Sequence, residues 1–184
     1  MNVLETELPG LLSIEPKVHG DERGFFLETY NAQRYRHAGI AEEFVQDNLS
    51  FSRRGILRGL HCQNPMPQGK LVQVLEGTVY DVAVDLRYGS PHFGRWQAVE
   101  LSSDNKRQFY IPPGFAHGFA VLSDVALFSY KCTDFYNPAG EFTLAWDDPD
   151  LAIPWPLDTP QLSEKDRNGY RLCELKQEWL CSYE

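Results

Sequence analysis

No run of eighteen apolar residues occurs among these 184 residues, and no internal repeat, low-complexity tract or linker interrupts them. A membrane-crossing helix needs about twenty apolar residues in a row, so that class is excluded. A surplus of positive charge is missing too: 17 Lys and Arg stand against 26 Asp and Glu, a formal net charge of -9. General nucleic-acid and membrane-surface binders present a net basic face, so neither partner is expected, and any anionic ligand must be met by local clusters of Arg and Lys. Cysteine is sparse. Cys62, Cys132, Cys173 and Cys181 form no C-x-x-C pair and no zinc-ligand spacing, which reads as reduced thiols. No H-x-H occurs, and His61 and His117 fall on different expected strands without an evident third ligand, so no metal is expected. The first twenty residues carry Glu5 and Glu7 and no basic n-region. The expected location is therefore cytoplasmic.

What is present is β pattern. The length and a 42% hydrophobic content suit one domain over residues 1–184. From Leu71 onward, alternation dominates. Tyr80, Val82, Val84 and Leu86 share one strand face, while Val79, Asp81, Ala83 and Asp85 share the other. His117, Phe119 and Val121 fall on one side of a later strand, and Ala126, Phe128, Tyr130 and Cys132 on one side of the next. Strands at roughly ten-residue spacing with Gly/Pro punctuation argue for a sandwich or barrel. No helical pattern interrupts residues 71–135. Elsewhere, residues 1–19 suggest an edge strand, Asp21-Glu22-Arg23-Gly24 a turn, and Phe25-Phe26 the start of a buried strand. Asn31 N-caps a helix expected over residues 31–43 with its stop near Gly39. Ile153-Pro154-Trp155-Pro156 belongs to an extended strap, since closely spaced prolines exclude helix and central strand. Ser163-x-x-Asp166 is a capping box that opens a helix expected to run toward Leu180.

The stretch Gly55–Gly77 places Arg58, His61 and Lys70 within a dozen residues between short apolar runs. One imidazole beside two cations suits proton transfer on an anionic substrate, and it also suits an imidazole that merely fills a strand end. Arg58 and His61 are three apart, so a regular strand would send them to opposite faces. They share a cavity only if Gly59 marks a bulge or Arg58 ends the strand. Cys62, next to His61, turns the other way. Gln46, Asp47 and Asn48 are either readers of a nucleobase or sugar hydroxyl, or a polar turn. Tyr130 is either a core aromatic or a phenol projecting toward His61. Arg23 and Glu28 read as a solvated pair.

Taken in order, GDERGFF at 20, FVQDN at 44, GILRGLH at 55, QGKLV at 68, DVAVDLR at 81, PPGFAHGF at 112, YKCTDFY at 130 and LSEKD at 162 resemble the dTDP-4-dehydrorhamnose 3,5-epimerase family. The resemblance implies a mainly β, cupin-type double-stranded β-helix (jelly roll) with a few short peripheral helices. It implies epimerisation of a dTDP-linked 4-keto-6-deoxyhexose without a cofactor, in a homodimer with strand exchange. His61 looks like the family's general base, Asp166 like its orienting carboxylate, Tyr130 like the acid on the opposite face, and Lys70 like the enolate-stabilising cation. Arg23, Arg58 and His117 match residues contacting phosphates or sugar. Gln46, Asp47, Asn48, Glu28, Glu141 and Lys165 match nucleotide-sugar ligands, and Tyr136 the residue stacked on thymine. Cys62 stands where an aromatic residue is expected. An epimerase acting at carbon 3 only, a ketoisomerase, and a non-catalytic sugar-nucleotide-binding cupin remain the alternatives.

Overall fold

The computed structural model of the chain describes residues 1–183. Its strands are β1 (Asn2–Glu5), β2 (Leu12–Glu15), β3 (Val18–Asp21), β4 (Gly24–Leu27), β5 (Gln46–Arg53), β6 (Leu57–Gln63) and β7 (Lys70–Glu76) in the first half. The second half adds β8 (Thr78–Asp85), β9 (Trp96–Ser102), β10 (Gln108–Ile111), β11 (Phe115–Val121), β12 (Val125–Cys132) and β13 (Glu141–Thr143). Two helices accompany them, α1 (Ala32–His37) and α2 (Glu164–Arg167). One antiparallel sheet has the order β1-β2-β10-β7-β12-β5, the other β13-β6-β11-β8-β9, and β3-β4 form a separate hairpin. The main core lies between the two large sheets. Val72, Val74, Phe109 and Phe128 from the first meet Val79, Ala83, Phe115 and Phe119 from the second. This is the cupin-type jelly roll with short peripheral helices that the sequence suggested.

Alternation of residue types assigns the faces. On β8, Val79 and Ala83 enter the core between the sheets, while Tyr80, Val82 and Val84 face outward. That outward face is covered by the proline-rich strap and the C-terminal segment, through Leu151, Ile153, Trp155, Leu172, Trp179 and Leu180. Trp96 Nε1 donates to the Leu151 carbonyl at 2.8 Å and fixes the strap. The tail therefore packs on the barrel. On the far side, Tyr35 of α1 and Ile40 pack with Ile14, Leu71 and Tyr110 over the six-stranded sheet.

Four local expectations change. The first helix is short: Asn31 caps it through Arg34 N–H, and it ends before Gly39, whose φ of +96° only glycine adopts easily. Instead of a long C-terminal helix there is a single turn, Glu164–Arg167, followed by 3-10 turns at Leu172–Glu174 and Gln177–Trp179. Half of the expected capping box forms, with Ser163 Oγ accepting from Asp166 N–H while the Asp166 carboxylate turns to His61, and no apolar stripe sustains a helix beyond it. Phe25 and Phe26 are not buried but 62% and 71% exposed on the hairpin. Arg23 pairs not with Glu28 but with Asp21, at 2.6 Å, and Glu28 pairs with Arg34.

Of the two arrangements that let Arg58 and His61 share a cavity, the bulge at Gly59 is the one that forms. His117 pairs with His61 and Phe119 with Arg58, so three steps along β6 match two along β11. Gly59 sits there with φ +115°. A Cβ on Gly59 would lie 2.6 Å from both Gly118 Cα and the His117 carbonyl oxygen. The strands touch backbone to backbone. Gly59→Ala is expected to lower unfolding free energy by about 3 kcal/mol, the upper range for overpacking. Chemical denaturation checks this, and a wild-type midpoint would mean that β6 and β11 have room to part.

Candidate active site

The bulge turns Arg58 and His61 of β6 toward the space between the sheets, where they line a cavity of about 130 Å³ with Ser50, Lys70, His117 and Tyr130, over a floor containing Gly118, Phe119 and Phe128. β6 and β11 belong to one sheet, β5, β7 and β12 to the other. His61 and Tyr130 thus enter the same cavity from opposite walls.

His61 Nε2 lies 2.5 Å from Asp166 Oδ1. A carboxylate there only accepts, so Nε2 carries the hydrogen and Nδ1 keeps the lone pair. Asp166 arrives from far along the chain. Ser163 Oγ accepts from its N–H at 3.1 Å, and bridges from Gln161 to Ile56 and from Tyr170 to Leu144 pin the segment on either side. Burial pushes the His61 pKa below the ordinary histidine value, with smaller pushes in the same direction from Lys165 and Lys70, and the Asp166 carboxylate only partly opposes them. Asp166 thus favours the protonated ring, but burial decides the direction of the shift. Burial raises Asp166's own pKa, but hydrogen bonds from His61 and Ser163 outweigh it and keep the carboxyl below its usual value.

Lys70, at the start of β7, has its pKa lowered by burial. Neither Lys70 nor Arg58 is held in an ion pair among the described residues. Arg58 Nε donates to Ser52 Oγ at 2.9 Å and Nη2 to the Phe51 carbonyl at 3.4 Å, which holds the guanidinium against β5 at the cavity. Burial raises the Tyr130 pKa and keeps the phenol protonated at neutral pH. Cys62 is buried behind β6 in the outward cluster, and burial pushes its thiol up to about 12, so it is inert packing.

A second polar group adjoins this cavity. Asn48 is the register partner of Tyr130, and Glu141 that of Gln63, two residues from His61. Gln46 Nε2 donates to Asn48 Oδ1 at 3.1 Å and Gln46 Oε1 accepts from Tyr136 N–H at 3.0 Å. Tyr136 Oη donates to Glu141 Oε2 at 2.9 Å, and Lys165 Nζ donates to Glu141 Oε1 at 2.8 Å. Of the sequence-selected residues, then, His61, Tyr130, Asp166, Lys70, Arg58 and His117 come together, and Gln46, Asn48, Tyr136, Glu141 and Lys165 form an adjoining rim. Arg23, Glu28 and Asp47 do not join them. Arg23 and Glu28 sit on or beside the hairpin, and alternation on β5 turns Asp47 outward to Lys131 at 2.9 Å.

Two residues escaped the sequence reading. Asp81, fully buried, accepts from His117 Nε2 at 2.9 and 3.0 Å. Its signal was a charge on the strand face shared with Val79 and Ala83, which requires a partner but does not name one. Ser50 Oγ is buried in the cavity wall without a hydrogen-bond partner. Its signal was the polar alternation Gln46, Asn48, Ser50, Ser52. Among the described residues no three His, Cys, Asp or Glu side chains converge as metal ligands would.

The family model described as dTDP-4-dehydrorhamnose 3,5-epimerase matches residues 5–174. Proteins of that name from Pseudomonas aeruginosa and Methanothermobacter thermautotrophicus are similar to this chain. The first is 55% identical over 171 residues, 92% of this chain and 94% of the relative; the second is 52% identical over 174 residues, 93% and 94%. A solved structure from Legionella pneumophila, a dTDP-6-deoxy-D-glucose-3,5-epimerase in complex with dTDP-4-keto-L-rhamnose, is also similar. It is 55% identical, has a TM-score of 0.97, and the match covers 100% of this chain and 98% of that one.

Because burial dominates at His61, its imidazole is expected to titrate below the ordinary value of about 6.5. Asp166→Asn removes a contribution that favours the protonated ring, so it should move the midpoint lower still. Histidine NMR titration reads both; a wild-type midpoint above the ordinary value would show that the carboxylate outweighs burial.

Proposed function

The chain belongs to the dTDP-4-dehydrorhamnose 3,5-epimerase family, and on that premise we propose how its cavity carries out the reaction. The enzyme is an isomerase of dTDP-L-rhamnose biosynthesis that turns dTDP-4-dehydro-6-deoxy-D-glucose into dTDP-4-dehydro-L-rhamnose. The hydrogens on carbons 3 and 5 both adjoin the ketone, so one carbonyl acidifies each. Inversion then needs a base on one face of the ring and an acid on the other.

The observation that carries the assignment is the entry of His61 and Tyr130 into one cavity from opposing sheets. His61 Nδ1, neutral and aimed by Asp166, removes the carbon-bound proton. Tyr130, kept protonated by burial, returns one from the other face. The burial that lowers the Lys70 pKa also leaves its ammonium short of water, so the enolate oxygen is the partner it lacks. One such fixed donor contributes about 3 kcal/mol to the transition state. Arg58, anchored by Ser52, offers forked donors to the diphosphate, while His117 lies against the sugar. Gln46, Asn48, Glu141 and Lys165 hold the nucleoside, and the half-exposed Tyr136 ring is the platform for its base.

Arg23, Glu28 and Asp47 serve this reading only through a second copy. Phe25 and Phe26 are exposed beside Leu75 on the outward face of the six-stranded sheet, where Leu49 and Phe51 are exposed as well. A homodimer that buries these faces carries the hairpin, with Arg23, toward the neighbouring cavity, and brings Glu28 and Asp47 near it.

With the dTDP-linked keto sugar in heavy water, deuterium should enter at carbons 3 and 5, seen by product NMR; no exchange by the pure protein removes the reading. Tyr130→Phe should cut product formation roughly 100-fold while sparing enolate formation more, and His61→Ala should abolish both. A non-catalytic binder would keep its function in His61→Ala. For the dimer, mixing Arg23→Ala with His61→Ala should restore turnover that neither variant has alone, and a mixture as inactive as its parts would confine Arg23 to its own subunit.

A further inference from the structure

The cavity holds a second carboxylate-bound imidazole whose place beside the first suits a reaction that inverts two carbons. His117 and His61 are direct register partners on β11 and β6, and both side chains line the cavity. Directly opposed strand residues have Cβ atoms about 5 Å apart. His117 Nε2 donates to both oxygens of Asp81, so Nδ1 keeps its lone pair and meets no hydrogen-bond partner among the described residues. Asp81 is fully buried, and His117 is its only side-chain partner among the described residues. The His117 ring is fixed further by stacking on Phe128 at 6.1 Å and 24°. Nothing in a single proton removal requires this second pair.

Two removals do. In a chair of D-gluco configuration the hydrogens on carbons 3 and 5 stand axial on the same face, so one base meets both. Each inversion leaves one proton on the base side. With Nε2–H committed to Asp166, His61 has one vacant nitrogen and stores one proton, which must leave before the second carbon can react. We propose that His117 takes this proton from His61 between the two inversions, and that Asp81 is the positioning residue that neutralises the resulting imidazolium. The balance is simple: His61 returns to its neutral form, His117 gains the proton, and His117 passes it to water when product departs. On the other wall Tyr130, which is only partly buried, regains its proton from water between inversions. The inference rests on His61 being the base.

The test compares wild type, Asp81→Asn and His117→Gln with the dTDP-linked keto sugar in heavy water, following deuterium at each carbon and the amount of singly inverted sugar. Asp81→Asn should leave exchange at the first carbon within about threefold of wild type and lower exchange at the second roughly 100-fold, the scale of one lost acid–base group, with singly inverted sugar released. His117→Gln, which keeps a donor toward Asp81 but gives up the ring placed against the sugar, should lower exchange at the second carbon roughly 100-fold more than at the first, and covers the case in which Asp81→Asn does not fold. An equal fall at both carbons in a variant with wild-type circular dichroism overturns the relay, as does wild-type exchange at both. Exchange that persists in His61→Ala is a separate result, which removes the base assignment itself.

Discussion

Two glycines that face one another across β6 and β11 set the geometry on which the chemistry depends. A Cβ on Gly59 would meet Gly118 Cα at 2.6 Å, and one on Gly118 would meet the Arg58 carbonyl oxygen at the same distance. The contact lets β6 carry one extra residue between Arg58 and His61, so a guanidinium and an imidazole three positions apart both line the space between the sheets. It also brings His61 level with His117. Without the bulge, one of the two would lie among the apolar side chains behind the sheet, where Cys62 sits.

Charge is handled locally. The chain is acidic overall, yet its cavity collects Arg58, Lys70 and two histidines. The carboxylates nearest to them are already engaged: Asp166 with His61, Asp81 with His117, and Glu141 with Lys165 and Tyr136. Each engagement holds an imidazole or a rim side chain in place and leaves Arg58 and Lys70 without a competing anion. Two side chains able to carry positive charge thus stand without an ion-pair partner among the described residues, inside a protein that repels anions at long range.

The sheets were legible because alternation is a strong signal wherever one strand face is buried. β8 shows this: its two faces separate in the structure as they do in the sequence. The Arg58–His61 spacing even narrowed the local backbone to a bulge at Gly59 or a strand end at Arg58, and the bulge is what forms. Helix lengths were less legible, since a capping box marks where a helix begins and says little about where packing ends it, as Ser163 shows. Exposure of Phe25 and Phe26 was opaque for a related reason: two aromatic residues in a strand read as buried whether the cover comes from the same chain or from another. In the site, His61, Lys70 and Tyr130 were selected from residue type together with the family resemblance. Partners distant in sequence, such as Asp81 for His117, need the fold, because strand pairing decides which of 26 acidic residues reaches which ring.

The strap and the turn that carries Asp166 come after every strand of the barrel in chain order. During translation the two sheets, complete through Thr143, leave the ribosome before the carboxylate that aims His61 does. Placement of the Asp166 carboxylate against His61 thus depends on a segment that follows the barrel and is held to it through Leu151 on Trp96 and Trp155 on Tyr80.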